Sequence, residues 1–67
     1  MTRLYRVEAR DHKGWSLGVR VDPSDGKPRL CDLAYADHFE AHADAALLLK
    51  RIAATYCGKL RVHRFRG

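Results

Sequence analysis

Two runs of alternating residues, joined by a four-residue turn, constrain this chain more than any other feature in it. In the first, Tyr5, Val7 and Ala9 share one side while Arg6, Glu8 and Arg10 share the other. In the second, Trp15, Leu17, Val19 and Val21 alternate with Ser16, Gly18 and Arg20. A period of two marks a strand with one buried face. Between the runs, Asp11-His12-Lys13-Gly14 supplies a turn that ends on glycine. The pair predicts a β-hairpin with its apolar set inward and Arg6, Arg10 and Arg20 outward.

The segment after the hairpin changes character. Asp22-Pro23-Ser24-Asp25-Gly26-Lys27-Pro28 holds two prolines, a glycine and two aspartates in seven residues, so it reads as a loop. A third strand is expected over Leu30 to Tyr35, with Cys31, Leu33 and Tyr35 inward and Asp32 outward. It either continues to Phe39 or gives way to a helix at Asp37. From His42 to Tyr56 the residues are strong helix formers without Gly or Pro, and Gly58 is placed to end the helix. Ala45, Leu48, Leu49, Ile52 and Tyr56 form one stripe at three- and four-residue spacing that faces the sheet. Asp37 and Glu40 are spaced as an N-cap and its partner three residues on. A last strand spans Leu60 to Phe65; Phe65 falls out of phase with Leu60 and Val62, which points to a bulge or a frayed end.

The expected architecture is α+β: a mainly antiparallel four-stranded sheet in the order β-β-β-α-β, with one helix on one face. A right-handed crossover is expected from the third strand to the last. At 67 residues the chain has room for a single domain, 1–67, and none for a large internal cavity. No run approaches the roughly 20 apolar residues of a membrane span. Met1-Thr2-Arg3-Leu4-Tyr5-Arg6 carries no apolar block, so no signal peptide and no membrane partner are expected. Cys31 and Cys57 are too few for a disulfide scaffold, and reduced thiols in a cytoplasmic protein are the default.

Charge is unevenly spread. The net +5 divides into +3 over residues 1–21 (five basic, two acidic), −4 over 22–44 (two basic, six acidic) and +6 over 45–67 (six basic, no acidic). Such a dipolar chain presents a cationic surface to phosphate or carboxylate partners, although net charge also serves solubility. By strand phase, Arg6, Arg20 and Arg61 gather on the face away from the helix, with His63 beside them and Arg64 and Arg66 close by. Arginine suits bidentate contact with phosphate and carboxylate. Sheet-type readers of single-stranded RNA also stack bases on exposed aromatics. With Tyr5 and Trp15 in the inward phase, only Phe65 is left to supply a ring. On the helix, Leu47 lies off the core stripe with Lys50 and Arg51 beside it, an apolar centre with basic flanks.

Metal and catalytic readings find little. His38 and His42 share a helix face only if the helix starts by His38, and Cys57 lies about 22 Å from His42 along a helix at 1.5 Å per residue. No cofactor, metal site or enzymatic activity is expected. A glycine-rich phosphate loop is also missing, since Gly14 and Gly18 belong to the hairpin.

The layout has a likeness. A hairpin, a third strand ending near Ala36-Asp37-His38-Phe39-Glu40, the helix Ala45-Ala46-Leu47-Leu48-Leu49-Lys50-Arg51-Ile52-Ala53 and the closing Lys59-Leu60-Arg61-Val62 resemble small phage-encoded proteins. Among these the chain looks most like anti-CRISPR proteins, single α+β domains without catalytic residues. The resemblance implies an inhibitor of a bacterial CRISPR–Cas effector, a protein or nucleoprotein complex in the cytoplasm of an infected host. Such an inhibitor would not mimic DNA as a whole at +5; it would use its acidic segment from Asp22 to Asp44 or set its arginines against phosphates or acidic surfaces. The alternative is a small protein that binds nucleic acid directly through its arginine-rich sheet face.

Overall fold

Hairpin pairing dominates the computed structural model, which describes residues 3–66. Strands β1 (Arg3–Asp11) and β2 (Gly14–Val21) form the expected hairpin. Its turn is closed by Asp11, whose Oδ1 accepts the Lys13 N–H at 2.7 Å, and by Gly14 at φ +100°, a conformation that only glycine takes without strain. Strand β3 (Pro28–Asp32) pairs with β2, and β4 (Leu60–Arg66) pairs with β1 along its whole length, from Arg3↔Arg66 to Ala9↔Leu60. The order β3-β2-β1-β4 is antiparallel throughout. One helix, α1 (His42–Ala53), completes the α+β fold.

The crossover differs from expectation. Because every neighbouring pair is antiparallel, β3 and β4 occupy opposite edges and run in opposite directions, so the handedness rule for parallel crossovers does not apply. The connection takes another route. Strand β3 stops at Asp32, and Leu33–Tyr35 forms a 3-10 turn rather than more strand. That turn lies against Gly18: a Cβ added there would sit 2.5 Å from Ala36 Cβ. Gly18 is paired with Glu8, so the turn covers part of the face opposite the helix, a face expected to be open.

From there the chain passes through the sheet. Strands β1 and β2 are paired only from the turn to Glu8↔Gly18; beyond it they fork. Residues 37–39 fill the fork. The Tyr5 and Phe39 N–H groups each donate to the other's carbonyl at 2.8 Å, and the Asp37 N–H donates to Val19 O at 3.1 Å. Asp37 Oδ2 accepts the Val21 N–H at 2.7 Å. Asp37 is therefore committed to the sheet and does not cap the helix. Its place is taken by Ala41, with no side-chain cap, and α1 starts at His42.

On the helix side the expected stripe is in place. Ala45, Leu48 and Ile52 are buried against Val7 and Val19, with Leu49, Phe39, Leu60 and Val62 packed around them. The helix ends at Ala53, three residues before Tyr56, whose ring still joins this core and whose hydroxyl donates to Arg10 O at 3.1 Å. Register also reverses the expected phase of β3. Val19↔Leu30 puts Leu30 on the helix side, while Cys31 lies opposite Gly18 on the other face. Tyr35, expected inward, is 66% exposed. Phe65 keeps regular register with Leu4, so β4 has neither a bulge nor an early end.

Candidate functional site on the sheet face

Antiparallel pairing sets Arg6, Glu8, Arg61, His63 and Phe65 on the face away from the helix, because Val7 and Val62 of the same strands are in the core. Glu8 is the unexpected member. It is 1% exposed, a buried carboxylate in a strand that alternates with arginine. A charge so placed must be paired. The Arg6 Nε–H donates to Glu8 Oε2 at 2.8 Å, and Arg61 donates from Nε at 2.8 Å and from its terminal nitrogen at 2.7 Å to Oε1. Burial pushes the Glu8 carboxyl up, but the hydrogen bonds from Arg61 and Arg6, with the charge of His63 nearby, outweigh it and hold the group below its ordinary value.

Each guanidinium also lies over a ring. Arg6 is 4.6 Å from the centroid of Phe65, and Arg61 is 4.3 Å from that of Trp15. His38 meets the Phe65 ring edge-on at 4.7 Å. Trp15 was expected in the core. The β1–β2 pairing slips by one residue between Ala9↔Leu17 and Asp11↔Gly14, which takes Trp15 out of the phase of Leu17 and Val19. The result is a ladder across the sheet: His38, Phe65, Arg6, Glu8, Arg61, Trp15. Rings stand at its two ends and the three charged groups lie between them. From Phe65 to Arg61 it runs about 13 Å at 3.3 Å per residue, with Trp15 beyond.

The structure brings only part of the expected arginine patch together. Arg6 and Arg61 share Glu8, but Arg20 stands on the other arm of the fork, opposite Arg29, with residues 36–38 between. Arg29 is tied to Asp22 at 3.3 Å and Asp25 at 2.6 Å in the loop. Arg64 and Arg66 follow the phase of Leu60 and Val62, so they leave by the helix side. On the helix, Leu47 is 61% exposed and lines a groove of about 250 Å³ with Val21, Phe39 and Leu48. Lys50 is exposed, whereas Arg51 is held by donating to Gly26 O at 2.6 Å, which joins the helix to the β2–β3 loop.

The histidines divide. His38 packs on Phe65, and His42 meets Tyr5 edge-on at 5.4 Å. Among the described residues no three His, Cys, Asp or Glu side chains gather as metal ligands. Both cysteines are free; Cys31 is half-buried, and burial raises its thiol above the ordinary value. No helix among the described residues is long and apolar enough to cross a membrane.

Trp15 and Glu8 are the site members that the sequence pattern did not single out, and His38 was weighed there only as a metal ligand. An isolated acid between Arg6 and Arg10 was the available signal for Glu8; the register slip that moves Trp15 leaves no trace in the alternation. Compared with known protein families, characterised proteins and solved structures, the chain matches none.

Proposed function

We propose that this chain is a non-enzymatic binding protein that takes single-stranded nucleic acid on the sheet face away from its helix. The observation that carries this reading is the presence of two ring–guanidinium pairs on one sheet face, Phe65 under Arg6 and Trp15 under Arg61. Unpaired bases stack on aromatic rings and on arginine planes alike, and two or three bases are a usual number for one sheet face. Glu8 fixes both arginines in place and neutralises one of their two charges. That leaves the rest of the attraction to other exposed cations, such as Arg10. The sequence pattern leaves only Phe65 on this face; Trp15, half-buried, adds a second ring to it.

Titration of the protein with an oligothymidylate tests the reading, with Trp15 fluorescence and electrophoretic mobility as readouts across a salt series. Quenching, with affinity that falls as salt rises, is expected. Replacing Phe65 by Ala should weaken binding by roughly 5- to 150-fold, the loss of about 1–3 kcal/mol of stacking. Arg20→Glu, away from the ladder, should weaken it less than Arg61→Glu. The absence of both quenching and a mobility shift at low salt would refute the proposal.

A second reading, inhibition of a bacterial CRISPR–Cas effector, is favoured by a different surface. The exposed Leu47 lies in a mostly apolar groove with Val21, Phe39 and Leu48, joined by Asp44 and Arg51, and such a surface suits a protein partner rather than a nucleic acid. Leu47→Asp should abolish that interaction and leave oligothymidylate binding unchanged.

A further inference from the structure

Three arginines converge where β1 begins and β4 ends. Arg3 and Arg66 are directly opposite each other in the pairing, and Arg64 is the diagonal neighbour of Arg3. Directly opposed side chains start about 5 Å apart and diagonal ones about 7–8 Å, so all three positive charges share one side of the sheet at close range. Like charges directly opposite destabilise a strand pair. Among the described residues the ion pairs engage Arg6, Arg29 and Arg61, and none engages these three. Together with Phe65 they line a cleft of about 200 Å³. Tyr5, the cross-strand partner of Arg64, packs on His42, so the positive end of the 12-residue helix starts on the same side.

We infer that Arg3, Arg64 and Arg66 form a binding site for a phosphomonoester, the terminal phosphate of a strand or a small phosphate compound. The number of groups selects the ligand. A phosphodiester within a chain offers two free oxygens and one charge. A phosphomonoester offers three free oxygens and a charge of about −1.5 to −2 at neutral pH. Three guanidinium forks match three oxygens, each in the charge-assisted geometry that arginine favours. This site lies on the helix side of β4, whereas the stacking ladder lies on the other. A strand would therefore turn its phosphorylated end around the β4 edge beside Phe65, the one residue that lines the cleft and also belongs to the ladder. Only that source of the phosphate rests on the single-strand reading; the site itself does not.

The experiment follows arginine side-chain Nε–Hε signals of the full chain by NMR during titration with inorganic phosphate. The signals of Arg3, Arg64 and Arg66 should move together and saturate, while those of the exposed Arg10 and Arg20 stay. In the Arg3→Gln/Arg66→Gln double variant the Arg64 signal should no longer respond. Signals of the three that move no more than those of Arg10 and Arg20 overturn the site. So does an unchanged Arg64 response in the double variant.

A second arm compares 5′-phosphorylated, 3′-phosphorylated and unphosphorylated oligothymidylates by fluorescence anisotropy. A preference of about 5-fold or more for one phosphorylated end, lost in the double variant, supports the site and assigns the phosphate to a strand end. Equal affinities beside an intact phosphate response support the site with a small free phosphate as its ligand. Phosphate response without any oligonucleotide binding supports the site and refutes the single-strand reading alone.

Discussion

Replacing Glu8 by Gln tests whether the ladder is held from beneath. The wild-type carboxylate accepts from Arg6 at one oxygen and from Arg61 at the other. A Gln side chain has the same shape but only one acceptor oxygen, so its NH₂ must face one of the two donors. Hydrogen bonds to charged groups are worth about 1.5–3 kcal/mol, and breaking a fully buried ion pair costs about 3–5 kcal/mol. The pair here is not sealed: the Arg6 side chain is 21% exposed and that of Arg61 42%. Water can reach both guanidinium groups once they are released, so a loss of about 2 kcal/mol at pH 7 is expected, below the fully buried figure. For a domain of this size that lowers Tm by roughly 8–16 °C.

The pH dependence makes the test specific. The Glu8 carboxyl is held below its ordinary value of 4.5 in the folded chain. A depressed carboxyl contributes stability that is present above the unfolded value and is lost as pH falls through the folded one. The gap between wild type and Glu8→Gln should therefore be constant from pH 7 to about 5 and close progressively below about 4.5. Urea unfolding followed by tryptophan fluorescence at a series of pH values measures it. A gap below about 0.5 kcal/mol at pH 7, or one that does not change with pH, would mean that the Glu8 carboxylate does not hold the two arginines.

Two further outcomes follow from the packing. Gly18→Ala should destabilise the chain by about 1–3 kcal/mol, because the new methyl meets the Ala36 side chain and the residues that carry the chain into the fork; chemical denaturation checks it, and a neutral effect would mean that the turn yields freely. Treatment with a thiol reagent at pH 8 should modify the exposed Cys57 at mixing and Cys31 much more slowly, since burial raises the Cys31 thiol and restricts access to it; equal rates would place Cys31 at the surface.

How much of this was legible in the sequence depends on whether a feature is local. The hairpin and the helical stripe are, since alternation in Tyr5–Val21 and three- to four-residue spacing in Ala45–Ile52 are set by neighbours along the chain. Non-local register decided the rest. Trp15 changes face because a single residue slips in the β1–β2 pairing, and Leu30 rather than Cys31 faces the helix because of where β3 meets Val19. Asp37 looked like a helix cap, but a free N–H on Val21 at the fork binds it more directly than the helix start does. Glu8 between two arginines read as a solvated strand face; its burial needs Arg61, 53 residues away. The arginine patch was divided for the same reason, since alternation assigns a face but does not reveal that β1 and β2 part beyond Gly18.

The dependence of Glu8 on β4 has a consequence for the chain during its synthesis. The hairpin can pair as soon as Val21 has emerged, yet the outer edge of β1 has no neighbour until residues 60–66 follow. At about 5–20 residues per second that interval lasts roughly two to nine seconds. Throughout it β1 presents unpaired backbone beside Val7 and Ala9, the kind of edge that recruits other chains. Arg6 alone then partners Glu8, and the edge carries charge at Arg3, Arg6, Glu8 and Arg10. Charged side chains on an open edge oppose association with a second strand. The carboxylate that later fixes the ladder thus first serves as a guard against aggregation, until Arg61 arrives and buries it.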